Sequence, residues 1–180
     1  ASALAAVKRP GTQVVLHQGV YFEGDLVTSA RGTARMPIVV RGARGESVII
    51  DGSDTGVGTT TWKDLGGGLF SAPFKGQSWV VCVRHTQSGS VRRLYPVGSL
   101  AKLKSRRVGK FGFAEFRITE AYFCTGSEVV VYCPYFKPRS MTLHVARRGG
   151  FVEHSRAQHI VYCDLTCRFF QGQVFYVNDS

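Results

Sequence analysis

Short runs of β-branched residues recurring between glycine-containing turns constrain this chain more than any other feature. Gly11 to Gly24 reads GTQVVLHQGVYFEG, and Met36 to Ser53 reads MPIVVRGARGESVIIDGS. Each run is short and bounded by Gly, Pro, Asn, Asp or Ser, which suits strands that bend at corners rather than long hairpin arms. Val14-Val15-Leu16 and Ile38-Val39-Val40 lie 24 residues apart, and Phe151-Val152 and Val174-Phe175 lie 23 apart. Separations of that size fit one coil of a stacked architecture, in which each coil lays its strands on those of the next. No tight Asn-Gly or Asp-Gly pair joins the matched runs as a hairpin of a β-sandwich would, although Asp51-Gly52 ends one of them. The expected fold is all-β, a right-handed parallel β-helix (solenoid).

The segment ASALAAVKRPGTQVVLHQGVYFEG, followed by Gly32-Thr33-Ala34, Met36-Pro37-Ile38-Val39-Val40-Arg41 and Val48-Ile49-Ile50-Asp51-Gly52-Ser53, carries a further signal through its order. It resembles the start of the pectin-lyase-like proteins with right-handed parallel β-helix repeats, over about residues 1 to 62 and 143 to 180. The resemblance implies a short N-terminal capping helix and a first full coil. The residues agree with it: Ser2 suits the cap of a helix from Ala3 to about Lys8, and Pro10-Gly11 suits its end.

Between Trp62 and Thr142 the pattern changes to runs such as Leu69 to Pro73, Ser78 to Val83, Phe113 to Ile118 and Glu128 to Tyr132, which predict a small inserted antiparallel β subdomain. The expected organisation is therefore 1–61 as cap and first coil, 62–142 as a basic insert, and 143–180 as resumed coils, incomplete as a solenoid. With 180 residues the chain supplies about two to three coils once the insert is removed. Gln173 to Ser180 reads as a strand entering a turn. An uncapped solenoid end exposes apolar side chains and strand edges, so a partner or further coils are expected to cover it.

Charge is the second informative feature. The chain holds 23 Lys and Arg against 12 Asp and Glu, a formal net charge of +11, and 16 of the basic residues are Arg. From Leu65 to Ala114 there is no Asp or Glu, while Lys75, Arg84, Arg92, Arg93, Lys102, Lys104, Arg106, Arg107 and Lys110 all carry positive charge. So one-sided a block attracts polyanions, and guanidinium matches planar carboxylate and phosphate well. The candidate polyanion-binding residues are Arg84, Arg92, Arg93, Lys102, Lys104, Arg106, Arg107 and Lys110. A solvated loop from Arg84 to Lys110 is the plainer alternative. Phe111, Phe113 and Phe116 fit a core better than a base-stacking platform, and no nucleic-acid-binding motif appears.

Five cysteines, Cys82, Cys124, Cys133, Cys163 and Cys167, cannot all pair, which favours free thiols and a reducing compartment. A Cys124–Cys133 disulfide is the alternative in a secreted chain. No zinc spacing, signal segment or membrane span is visible. Relatives that act on uronate polysaccharides work by β-elimination, and the resemblance implies a base together with calcium or cationic side chains, held on middle coils that this chain does not contain. Calcium enters by that resemblance alone, for about six to eight oxygen ligands are needed and Glu153 is a poor start. His154, His159, Glu153, Asp164, Arg147, Arg148 and Arg156 remain as weak catalytic candidates, and Asp51 is expected to hold its turn. Two functions follow. One is a β-helix module of a carbohydrate-active protein that binds an acidic polysaccharide, part of a longer lyase or hydrolase. The other is a non-catalytic basic scaffold subunit docking in a larger assembly, with nucleic acid among its contacts.

Overall fold

The computed structural model describes residues 7, 9–106, 109–111, 114–116, 118–137 and 140–178. In chain order the elements are β1 (Gln13–Leu16), β2 (Gly19–Tyr21), β3 (Leu26–Thr28), β4 (Ile38–Gly42), β5 (Val48–Asp51), α1 (Thr55–Thr59), β6 (Lys63–Gly66), β7 (Leu69–Gly76), β8 (Val81–His85), β9 (Val91–Arg93) and β10 (Tyr95–Pro96). There follow α2 (Leu100–Ser105), β11 (Gly109–Phe111), β12 (Ala114–Phe116), β13 (Ala121–Cys124), β14 (Gly126–Tyr132), β15 (Met141–Val145), β16 (Val152–Ser155), β17 (Ile160–Cys163), β18 (Thr166–Arg168) and β19 (Phe175–Asn178). The fold is all-β, and the two helices among the described residues are five and six residues long. The chain forms two compact bodies, 1–53 with 147–180, and 54–146.

The first body contains three parallel sheets of three strands each, β1-β4-β17, β2-β5-β18 and β3-β16-β19. The chain visits them in rotation, so β1, β2 and β3 form one layer, β4, β5 and β16 the next, and β17, β18 and β19 the third. Inward residues stack from layer to layer. Val14, Val40 and Tyr162 share one rung, as do Tyr21, Ile50 and Cys167. With Val48, Phe151, Val152 and Phe170 they build the core of this body.

Val152 pairs with Phe175, the expected separation of 23 residues. The first two layers differ from expectation: Val14 pairs with Val40, a spacing of 26 rather than 24. A two-residue slip leaves every side chain on the same face, so the apolar pattern fits either register. Gly11, at φ 77°, donates its amide to the Met36 carbonyl at 3.0 Å and turns the chain into β1. The capping helix expected from Ala3 to Lys8 lies outside the described residues, apart from Val7.

At the end of β5, Asp51 is fully buried. Its carboxylate accepts from the Ser53 amide at 2.9 Å and from Arg168 Nε at 2.7 Å, in the next layer. Glycine permits the layers to approach, since a Cβ on Gly42 would stand 2.2 Å from the Asp164 carbonyl oxygen.

The second body is layered differently. A five-stranded sheet, β10-β13-β14-β7-β6, is antiparallel except between β10 and β13, which run parallel. This is a departure from the purely antiparallel expectation. A three-stranded antiparallel sheet, β15-β8-β9, packs on it through Val81, Val83, Leu143 and Val145 against Phe70, Phe74, Val129 and Val131. The other side of the larger sheet holds Ala121 and Val130 against Leu103 of α2. Ser99 caps α2, its Oγ accepting from the Lys102 amide at 3.2 Å. The described residues from Arg84 to Lys110 are thus largely structured rather than a continuous loop, and β11 and β12 form a separate two-stranded antiparallel sheet.

Candidate functional site

Alternation along β8 decides what its sheet presents. Val81 and Val83 are wholly buried, and so, nearly, are Met141, Leu143 and Val145 on β15. The residues between them point the other way, because successive side chains on a strand face opposite sides. That second face carries two rungs, Arg93–Cys82–His144 and Val91–Arg84–Thr142. Arg84, Thr142 and His144 are half-buried, whereas Val91 and Arg93 are exposed. The Thr142 hydroxyl lies 3.0 Å from His144 Nε2. Two guanidiniums, a hydroxyl and an imidazole therefore share one polar face that spans about 10 Å across the three strands.

Cys82 sits within this face and is itself buried. Burial pushes its thiol above the ordinary range, and the positive charge of Arg93 partly opposes that. At the open edge, Arg93 Nη2 donates to the Trp79 carbonyl at 2.9 Å.

The other candidates from the basic block go elsewhere. Arg92 points away from Arg93. Its guanidinium lies over the Tyr135 ring, with Nη1 3.8 Å from Glu120 Oε2. The Tyr135 hydroxyl donates to the same carboxylate oxygen. Beside it, burial raises the Cys133 thiol to about 11. Arg106 terminates α2 at φ 54°, donates to the Gly67 carbonyl at 2.9 Å and covers the Tyr132 ring. Lys102 and Lys104 are exposed on the same helix. Arg107 and the side chain of Lys110 lie outside the described residues, as do Phe113 and the side chains of Phe111 and Phe116. The structure thus divides the described basic residues among a sheet face, an edge cluster and a helix. Sequence reading did not single out Thr142, His144 or Trp79, although Thr142 and His144 alternate with apolar neighbours in MTLHV.

In the first body the weak catalytic candidates do not converge. Glu153 faces outward on β16 between Val27 and Tyr176, whereas His154 shares an inward rung with Thr28 and Val177. His154 packs edge-on to Tyr162, and burial lowers its pKa. His159 and Asp164 stand at the two ends of β17, both at positive φ. Arg148 donates to the Phe22 carbonyl at 2.8 Å, and Arg147 and Arg156 are exposed. Two cavities open on this body. One of about 410 Å³ lies between the corner at 43–47 and Asp164, and one of about 350 Å³ lies beside Asp25, Glu153 and Tyr176. Asp25 Oδ1 is occupied by the Gly149 and Gly150 amides at 2.8 and 3.3 Å. Among the described residues no group of three or more His, Cys, Asp or Glu gathers as a metal site, and no helix is long and apolar enough to cross a membrane.

The sequence matches no family model and no curated protein. Among solved structures, the chain is similar to one described as the complex structure of XylC with xylose, with a TM-score of 0.64 and 15% sequence identity. The match covers 94% of this chain and 32% of that one, so this chain spans about a third of that protein's length. At that identity the likeness concerns the fold.

Proposed function

We propose that this chain is a β-helix module of a carbohydrate-active protein, and that it binds an acidic polysaccharide on the polar face of the β15-β8-β9 sheet. The three layered parallel sheets of the first body support the opening of a β-helix. A right-handed winding agrees with the strong preference of parallel crossovers for that hand. On this reading 54–146 is an insert carried by the solenoid. The fold likeness to a protein solved with xylose supports a carbohydrate role.

The observation that carries the binding reading is the Arg93–Cys82–His144 and Val91–Arg84–Thr142 ladder, whose β8 and β9 members come from the sequence stretch without a carboxylate. Arg84 and Arg93 offer planar forks to carboxylates, while Thr142 and His144 add hydrogen-bonding groups for hydroxyls. Titrating the chain with polygalacturonate at several salt concentrations tests this. Arg84→Ala with Arg93→Ala should weaken binding and flatten its salt dependence, whereas Lys102→Ala with Lys104→Ala should change it less. Equal losses in the two pairs would remove the sheet face from the mechanism.

A second reading has its own support. β17, β18 and β19 each pair on one side only, and Phe175, Tyr176 and Val177 are 40%, 51% and 62% exposed. Such an edge suits a scaffold role in which a neighbour adds strands to the third layer.

A further inference from the structure

We infer that Trp79 and Arg93 form a subsite for a single hexuronate unit, with the sugar ring on the indole and its carboxylate at the guanidinium. This deepens the acidic-polysaccharide reading and rests on it.

Trp79 is 68% exposed, although an aromatic of this size ordinarily contributes by burial. Its turn is held from two sides. The Tyr122 hydroxyl donates to the Ser78 carbonyl at 3.1 Å, and Ser78 Oγ donates to the Val80 carbonyl at 2.9 Å. Arg93 Nη2 then fixes the Trp79 carbonyl itself. A pinned backbone beneath an exposed indole removes the loop-ordering part of the cost of binding.

The chemistry of the neighbours selects the ligand. The negative face of an indole attracts the C–H groups on the flat side of a pyranose. One N–H of the Arg93 guanidinium is used on the Trp79 carbonyl, and a guanidinium carries several more in a rigid fork suited to carboxylate. Both residues lie in the sequence stretch from Leu65 to Ala114, which contains no Asp or Glu. A neutral sugar would use the ring alone and a polyphosphate would use the guanidinium alone. A uronate uses both.

The test compares polygalacturonate with inorganic polyphosphate as probes of the full chain, by calorimetry, with circular dichroism confirming that each variant is folded. Trp79→Ala should weaken polygalacturonate binding about fivefold to tenfold, the scale of a lost aromatic contact, and leave polyphosphate binding unchanged. Trp79→Phe should restore most of the loss. Arg93→Lys, which keeps charge but not the fork, should weaken both probes, because the fork matches carboxylate and phosphate alike. Equal affinity of Trp79→Ala and the parent for polygalacturonate overturns the subsite while leaving polysaccharide binding standing. A parent chain that binds neither probe overturns the underlying reading and the subsite with it.

Discussion

The Asp51 carboxylate in one layer of the parallel sheets lies 2.7 Å from Nε of Arg168 in the next, with no solvent exposure at Asp51. The pair is therefore a bond between layers. Asp51→Ala leaves Arg168 facing a pocket that no longer answers its charge and frees the Ser53 amide. Loss of one partner of a buried pair costs about 3–5 kcal/mol, reduced here because Arg168 is partly exposed. Urea unfolding should show a clear drop in midpoint. A midpoint within error of the parent would mean that the pair contributes nothing to the stack.

Gly42→Ala and Gly58→Ala should move stability in opposite directions. A Cβ at Gly42 meets the Asp164 carbonyl at 2.2 Å, and forcing such a contact into a packed layer costs about 1–3 kcal/mol. Nothing lies within 4 Å of a Cβ at Gly58, which sits in α1, where alanine gains up to about 1 kcal/mol over glycine. Thermal melts of the two variants would separate a close approach between layers from simple chain stiffening.

His154 makes the first body sensitive to acid. Burial lowers its pKa below the ordinary 6.5, so the unfolded chain binds a proton that the folded chain resists. Its contribution is intact above about pH 6.5 and declines as pH falls toward the folded value. Urea midpoints measured from pH 8 to pH 5 should fall less steeply in His154→Gln than in the parent. Parallel slopes would remove His154 from the acid response.

Thiol accessibility should divide the five cysteines. Cys82, Cys124 and Cys133 are buried, and Cys163 and Cys167 are partly exposed. A Cys124–Cys133 disulfide is excluded by register: Cys124 pairs with Val129 at one end of the β13–β14 ladder, while Cys133 follows Tyr132 at the other. Four rungs separate them by about 13 Å, well beyond disulfide reach. Brief alkylation of the native chain followed by mass spectrometry should modify Cys163 first and leave Cys133 untouched, its thiol being raised to about 11. Early labelling of Cys133 would contradict its burial.

The second body should be removable. The Gly52 carbonyl accepts from the Arg147 amide at 2.8 Å, and the Asp54 amide donates to the Val145 carbonyl at 2.8 Å, so each body closes on itself where the chain crosses between them. Replacing 54–146 by a short Gly-Ser link should leave a β-rich chain with a cooperative melt, and a broad melt without β signal would show that the first body needs the second.

The layered strands were legible wherever β-branched runs met obligatory turns, as at Ile38–Gly42 and Val48–Asp51. The register of β1 on β4 was not, because Val14 and Leu16 face inward whether they stack at a spacing of 24 or 26. At the candidate site the excess of charge was visible by counting, but its division was not. Arg84 and Arg93 share a face only because β9 pairs on β8 in one register, and Thr142 and His144 join them only through β15, some fifty residues along the chain. Trp79 gave no periodic signal, since its significance lies in the bend that holds it.

Arg92 and Arg93 are consecutive and chemically identical, yet they answer to different neighbours. Arg92 belongs with Glu120 and Tyr135, and Arg93 with Trp79. Drift at the two positions should therefore be uncoupled among descendants of this chain. Replacement of Arg92 would be tolerated where Glu120 changed with it, whereas under the proposed uronate subsite Arg93 would follow the fate of the indole. Under that proposal a lineage without the uronate ligand would lose Arg93 and Trp79 together and still keep Arg92.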